Sequence, residues 1–211
     1  VSARLALTRA KLDLQPARPD GVFLFVGPTG VGKTALALAI AVEVFRDPSA
    51  LIRLDMSEYA QEWALSRLIG PQPGYVGFTE PESWLTTRVH EKPDCVVLLD
   101  EIEKAHPTIW NAFLQVFDAG HLTDSRGTVA DFASAVVIMT SNLGGRSFQR
   151  RSIGFGDQAA AGQPDRDVVG AVTAAMPPEL VNRLDQISVF YPLDRSAIRA
   201  IAEKEIDRAL D

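Results

Sequence analysis

Short apolar runs recur along the chain at 22–26, 51–54, 96–99, 135–140 and 187–190, bounded by Gly, Pro or Asp. Runs of this length, rich in Val, Ile and Phe, read as strands buried on both faces. Between them lie longer stretches whose apolar residues return at helical spacing: 2–14, 35–45, 57–69, 84–90, 108–119, 165–175 and 195–210. Punctuation agrees with that division. Pro107 suits a first helical position and Gly120 a stop, Gly70 closes the 57–69 helix, and Asp194 caps the last one. Residues 122–132 carry Asp124-Ser125-Arg126-Gly127 between Leu/Thr and Thr/Val pairs, the pattern of a β-hairpin. Strands alternating with helices predict an α/β fold with a parallel, doubly wound sheet.

Composition narrows this only a little. With 211 residues, 46% apolar and 23% charged, the chain holds enough core for one domain or one and a part. A net charge of -6 and a pI near 5.1 argue against nucleic acid as the main partner, which usually leaves a basic footprint. Cys95 is the only cysteine, so no internal disulfide is possible, and a reducing, cytoplasmic compartment fits. His90, His106 and His121 lack metal-ligand spacing. Neither a signal peptide nor an apolar run long enough to span a bilayer is present, so no membrane role is expected. The chain starts at Val1 and ends inside a helical pattern, so it reads as a piece of something longer. Residues 158–164 read as a polar loop.

The first strand breaks into Gly27-Pro28-Thr29-Gly30-Val31-Gly32-Lys33-Thr34, a full match to G-x-x-x-x-G-K-S/T between a strand and a helix. Glycines let successive N–H groups curl around phosphate oxygens, and the following helix points its positive end at them. Lys33 offers a point charge to the β- and γ-phosphates, and the Thr34 hydroxyl suits Mg²⁺. The motif predicts a nucleoside triphosphate with Mg²⁺. The third apolar run supplies the companion, Val96-Val97-Leu98-Leu99-Asp100-Glu101, which delivers two carboxylates at a strand's C-terminal end. Asp100 would hold the Mg²⁺ coordination sphere through water, and Glu101 would orient and deprotonate an attacking water.

Four further stretches carry a resemblance: Asp100-Glu101-Ile102-Glu103-Lys104-Ala105-His106-Pro107, Gly74-Tyr75-Val76-Gly77, Met139-Thr140-Ser141-Asn142-Leu143-Gly144, and Pro178-Glu179-Leu180-Val181-Asn182-Arg183-Leu184-Asp185. Together they resemble, over roughly 19–201 and in the family's order, the second ATPase ring of the Clp chaperones. These are AAA+ unfoldases and disaggregases such as ClpA, ClpB and ClpC. The resemblance implies a P-loop NTPase fold: an AAA+ large subdomain over 1–191, with a five-stranded parallel sheet between helices. Residues 192–211 would begin a truncated helical lid.

The same resemblance implies roles by position. Asn142 matches the first sensor, which helps position the attacking water; taken alone, it is also a strand-end residue capping a turn. Arg183 matches the arginine finger that reaches a neighbouring subunit's γ-phosphate; alone, it would pair with Glu179 one turn away. Tyr75 matches the pore-loop aromatic that grips threaded polypeptide, or else it packs a Pro-rich turn. Ile153-Gly154-Phe155 resembles the tripeptide loop that docks on ClpP-type peptidases, the alternative being that Ile153 and Phe155 pack on the domain's own helices. Implied partners are a homo-hexamer of the full-length protein and unfolded or aggregated protein clients.

Departures from the family pattern have consequences too. Thr79-Glu80-Pro81-Glu82-Ser83 puts proline and charge where the family carries acidic residues and paired glycines, which should stiffen the pore loop. Arg126 precedes Gly127, whereas the family tends to place an arginine after it. The family's adenine-covering segment and second-sensor arginine fall outside the sequence, so the fragment alone is expected to bind ATP poorly and hydrolyse it slowly. Two alternatives stand beside the unfoldase: an AAA+ ATPase acting on nucleic acid, and a nucleotide-gated scaffold without turnover.

Overall fold

A computed structural model describes residues 17–72, 74, 82, 84–143 and 163–210. In chain order the larger elements are β1 (Gly21–Val26), α1 (Lys33–Phe45), β2 (Leu51–Asp55), α2 (Ser66–Ile69), α3 (Leu85–Glu91), β3 (Val96–Asp100), α4 (Pro107–Ala119), β4 (His121–Thr123) and β5 (Val129–Asp131). There follow β6 (Val136–Ser141), α5 (Gln163–Ala175), α6 (Pro178–Val181), β7 (Gln186–Val189) and α7 (Arg195–Leu210). Five strands form a parallel sheet in the order β2-β3-β6-β1-β7, and β4 pairs with β5 as an antiparallel hairpin. The order reverses at β1, and at that switch point open α/β sheets bind ligands beyond their strand ends.

The unbroken apolar runs are explained by burial on both faces. Val22, Leu24 and Val26 of β1, with Val97, Leu99, Val137 and Met139, join Phe113, Phe117 and Leu180 in the larger core. Phe23 and Phe25, with Val96, Leu98, Val136 and Ile138, face Ala37, Ile40 and Ala41 of α1 on the other side. Burial of this kind stabilises by about 25 cal/mol per Å² of apolar area.

The predicted strands, the hairpin and most helices occur within a residue or two of the expected bounds. Pro107 opens α4, and Gly120 closes it at φ 65°. Asp194 caps α7, its Oδ1 accepting from the Ala197 amide at 2.7 Å. The predicted helix over 57–69 is a correction. The segment is two 3-10 turns, Met56–Tyr59 and Glu62–Leu65, followed by the four residues of α2. A tertiary hydrogen bond diverts a carbonyl that a continuous helix would need: Tyr59 O accepts from the His106 amide at 2.8 Å. Extended backbone at Gln61 (φ -115°, ψ 149°) separates the turns. Local helix propensity is a weak prior against such contacts. The helix expected over 2–14 lies outside the described residues.

No described helix is long and apolar enough to cross a membrane. Cys95, fully buried ahead of β3, has its thiol pushed up to about 12 by burial. Thiol reagents require thiolate and access. The native chain should therefore resist a chromogenic thiol reagent at pH 8 and react fully only in denaturant; rapid native labelling would show that β3 opens locally.

Candidate functional site

Residues 27–34 leave β1 at the sheet's switch point and turn back into α1. Gly27 passes so close to the end of β7 that an added Cβ would lie 2.4 Å from Phe190 O. Gly30 and Gly32 take φ of 80° and 95°, with nothing within 4 Å of an added Cβ, so the loop curls around open space. Gly32 is the N-cap of α1 and offers no side chain to the helix's first amides. Those orphan N–H groups, at the positive end of a 13-residue helix, suit an anion.

Lys33 is buried and sits at the centre of the site. Its Nζ donates to Gly27 O at 2.6 Å, Pro28 O at 2.8 Å and Asn142 Oδ1 at 2.9 Å. Burial lowers its pKa, and the charges of Asp100, Glu103 and Glu101 oppose that shift. On its other side Asn142 donates from Nδ2 to Glu101 Oε1 at 2.6 Å. The three residues therefore form one hydrogen-bonded chain from the phosphate loop to the second carboxylate.

The carboxylates are held from below. Asp100 Oδ1 accepts from Thr140 Oγ1 and Oδ2 from Arg53 Nη2, both at 2.6 Å. Glu101 leaves the strand at φ 58° and ψ 56°, a left-handed conformation costing a non-glycine residue about 1–2 kcal/mol. Its amide donates to Thr140 Oγ1 at 3.0 Å. Glu103 Oε1 accepts from the Asn142 amide at 3.0 Å, while its Oε2 is buried with no hydrogen-bond partner among the described residues. Thr140, Arg53 and Glu103 were not singled out from the sequence. Each is ordinary at its position until neighbouring strands set their C-terminal ends side by side.

The donor set fits a hard divalent cation with a triphosphate. The Thr34 hydroxyl and Asp100 offer oxygen only, and among the described residues no three of His, Cys, Asp and Glu cluster to hold a metal by themselves. A cation here would complete its shell with phosphate and water, as Mg²⁺ usually does.

Arg183 lies elsewhere, in the turn after α6. Its Nε and Nη2 donate to the two Asp118 carboxylate oxygens at 2.7 and 2.9 Å, and its Nη1 to Glu179 O at 3.0 Å. Asp118 raises the arginine's pKa and is itself lowered by it. None of these partners belongs to the Lys33 network. The ion pair expected with Glu179 is thus made with Asp118, and Glu179 contributes only its carbonyl. Tyr75 and Ile153-Gly154-Phe155 lie outside the described residues.

A glycine-lined phosphate loop at the switch point of a parallel sheet, facing paired carboxylates, defines a P-loop nucleotide-binding module. Residues 18–187 match the family model of the AAA domain, Cdc48 subfamily, and the chain belongs to that family of ATPase modules. It is 45% identical over 213 residues to the negative regulator of genetic competence ClpC/MecB of Bacillus subtilis, covering 99% of this chain and 26% of that protein. To the chaperone protein ClpB of Pseudomonas putida it is 47% identical over 204 residues, 96% of this chain and 23% of the relative. The fold matches a solved structure of S. cerevisiae Hsp104 in an extended-conformation complex with casein, at TM-score 0.85 and 38% identity, over 99% of this chain and 35% of that one. The chain spans about a quarter of the length of the curated relatives it matches. The nucleic-acid and scaffold alternatives gain no support from these relatives.

Proposed function

We propose that the chain is the ATP-hydrolysing module of a longer, ring-forming Clp-type unfoldase or disaggregase of the cytoplasm. The carrying observation is the Lys33–Asn142–Glu101 hydrogen-bond chain, which links a phosphate cradle directly to a carboxylate. In this reading the amides of residues 27–34 and Lys33 bind the β- and γ-phosphates, and Thr34 and Asp100 hold Mg²⁺. When bound, Mg²⁺ neutralises charge on the phosphate oxygens. Glu101 takes a proton from water as the water oxygen bonds to the γ-phosphorus and the bond to ADP breaks. Asn142 orients that water. Arg183 serves a neighbouring copy, and Tyr75 grips the polypeptide. Residues 1–191 would form the nucleotide-binding core and 192–211 begin a helical lid, in which Ile198, Ile201 and Ile206 are exposed.

The chaperone names of the relatives and the casein in the Hsp104 complex support protein clients, and an Arg183 that serves a neighbouring copy would call for a ring, proposed here to be a homo-hexamer. In the full-length parent, Tyr75→Ala should keep basal ATPase but lose unfolding of a tagged fluorescent client, while Tyr75→Phe retains most of it, since aromatic grip is largely apolar. Equal unfolding by the alanine variant would move the substrate contact elsewhere. Ile153-Gly154-Phe155 is proposed to dock on a ClpP-type peptidase; serine at both apolar positions should then stop coupled degradation and leave ATPase unchanged.

A further inference from the structure

One hydroxyl touches both acidic residues of the site, the carboxylate of Asp100 and the backbone amide of Glu101. Thr140 lies on β6 one step beyond the Leu99–Met139 pairing, so it stands beside the end of β3. It is 1% exposed, and its oxygen is used twice: it donates to Asp100 Oδ1 at 2.6 Å and accepts from the Glu101 amide at 3.0 Å. The first bond fixes the carboxylate that would serve the cation. The second holds the left-handed turn at Glu101, and the direction of that turn sets where the Glu101 side chain meets Asn142. A valine has nearly the same shape and can do neither.

We propose that Thr140 is a positioning residue that couples the metal-facing Asp100 to the base Glu101, so that both are set by a single side chain. The inference rests on the nucleotide-site reading above. Arg53 shares the Asp100 carboxylate but touches only its Oδ2 and has more than half its side chain in solvent, so it cannot link the two. Glu103 acts one step further along, on the Asn142 amide. Thr140 alone among these contacts both members of the pair.

The test uses Thr140→Val and Thr140→Ser in the full-length parent. A fluorescent ADP analogue is titrated with and without Mg²⁺, and steady-state turnover is measured beside it. Loss of an outer-shell partner costs about 10–100-fold in metal affinity or activity. Thr140→Val should therefore weaken Mg²⁺-dependent nucleotide binding and lower kcat by about that range. Metal-free nucleotide affinity should not change, because the phosphate loop is untouched. Thr140→Ser keeps the hydroxyl and should restore both the metal dependence and kcat. If the valine variant melts at the assay temperature, Thr140→Ala replaces it with the same expectation. A valine or alanine variant with wild-type metal dependence and turnover overturns the proposal. So does a loss that is equal with and without Mg²⁺ and is not rescued by serine, which marks a purely structural role. If the wild-type parent shows no Mg²⁺-dependent nucleotide binding, the nucleotide-site reading fails and this inference falls with it.

Discussion

Lys33→Ala is expected to abolish measurable nucleotide binding, while Glu101→Gln leaves binding intact and stops turnover. The lysine is buried, and among the described residues its ammonium bonds the loop carbonyls and Asn142 together. Hydrogen bonds to charged groups contribute about 1.5–3 kcal/mol each, so the loss of two or more from bound phosphates weakens binding by about 100-fold at least. Glutamine at 101 keeps an oxygen that can accept from Asn142 Nδ2, so the local geometry survives and only basicity is lost. A positioned general base accounts for about 10²–10⁴ in rate. Titration with a fluorescent nucleotide and assay of phosphate release in the full-length parent separate the two effects. Turnover near wild type in Glu101→Gln would remove the base assignment.

That pair of residues was legible in the sequence because the chemistry demands both residue type and spacing. A glycine-rich turn followed by Lys-Thr needs no tertiary information, nor does an apolar run ending in Asp-Glu. The sheet was equally legible, since burial on both faces leaves Val22 to Val26 and Val96 to Leu99 without a polar residue. What could not be read depends on contacts between distant residues. The 57–69 segment has helical composition, yet the His106 amide takes the Tyr59 carbonyl out of any continuous helix, and Gln61 is extended. Thr140 and Arg53 look like ordinary strand residues, and only the register of β2, β3 and β6 brings them to Asp100. Asp118 is the plainest case. It lies 65 residues from Arg183 and carries no motif, yet it holds both arms of the guanidinium.

That last contact shapes the second large expectation, that Arg183→Ala cuts turnover by about 10³-fold or more with much less effect on ATP affinity. Within one protomer the guanidinium is directed to Asp118 and the Glu179 carbonyl, away from the Lys33 network, so it has no part in that protomer's own phosphate site. It is still partly solvent-exposed, and a planar, permanently charged group with a carboxylate partner can exchange that partner for a phosphate across an interface. Where head-to-tail contacts of this kind close into a ring, as proposed above, each active site would take Glu101 from one copy and Arg183 from the next. A mixing experiment follows from that division. Rings of Arg183→Ala alone or of Glu101→Gln alone should be inactive. In mixed rings, an Arg183→Ala protomer keeps its Glu101, and a Glu101→Gln neighbour on the correct side supplies the missing arginine. Some interfaces therefore become complete, and phosphate release should recover to a fraction set by the mixing ratio. No recovery in rings shown to be mixed and hexameric would mean that Arg183 does not act across the interface, and its bond to Asp118 would then be its whole role.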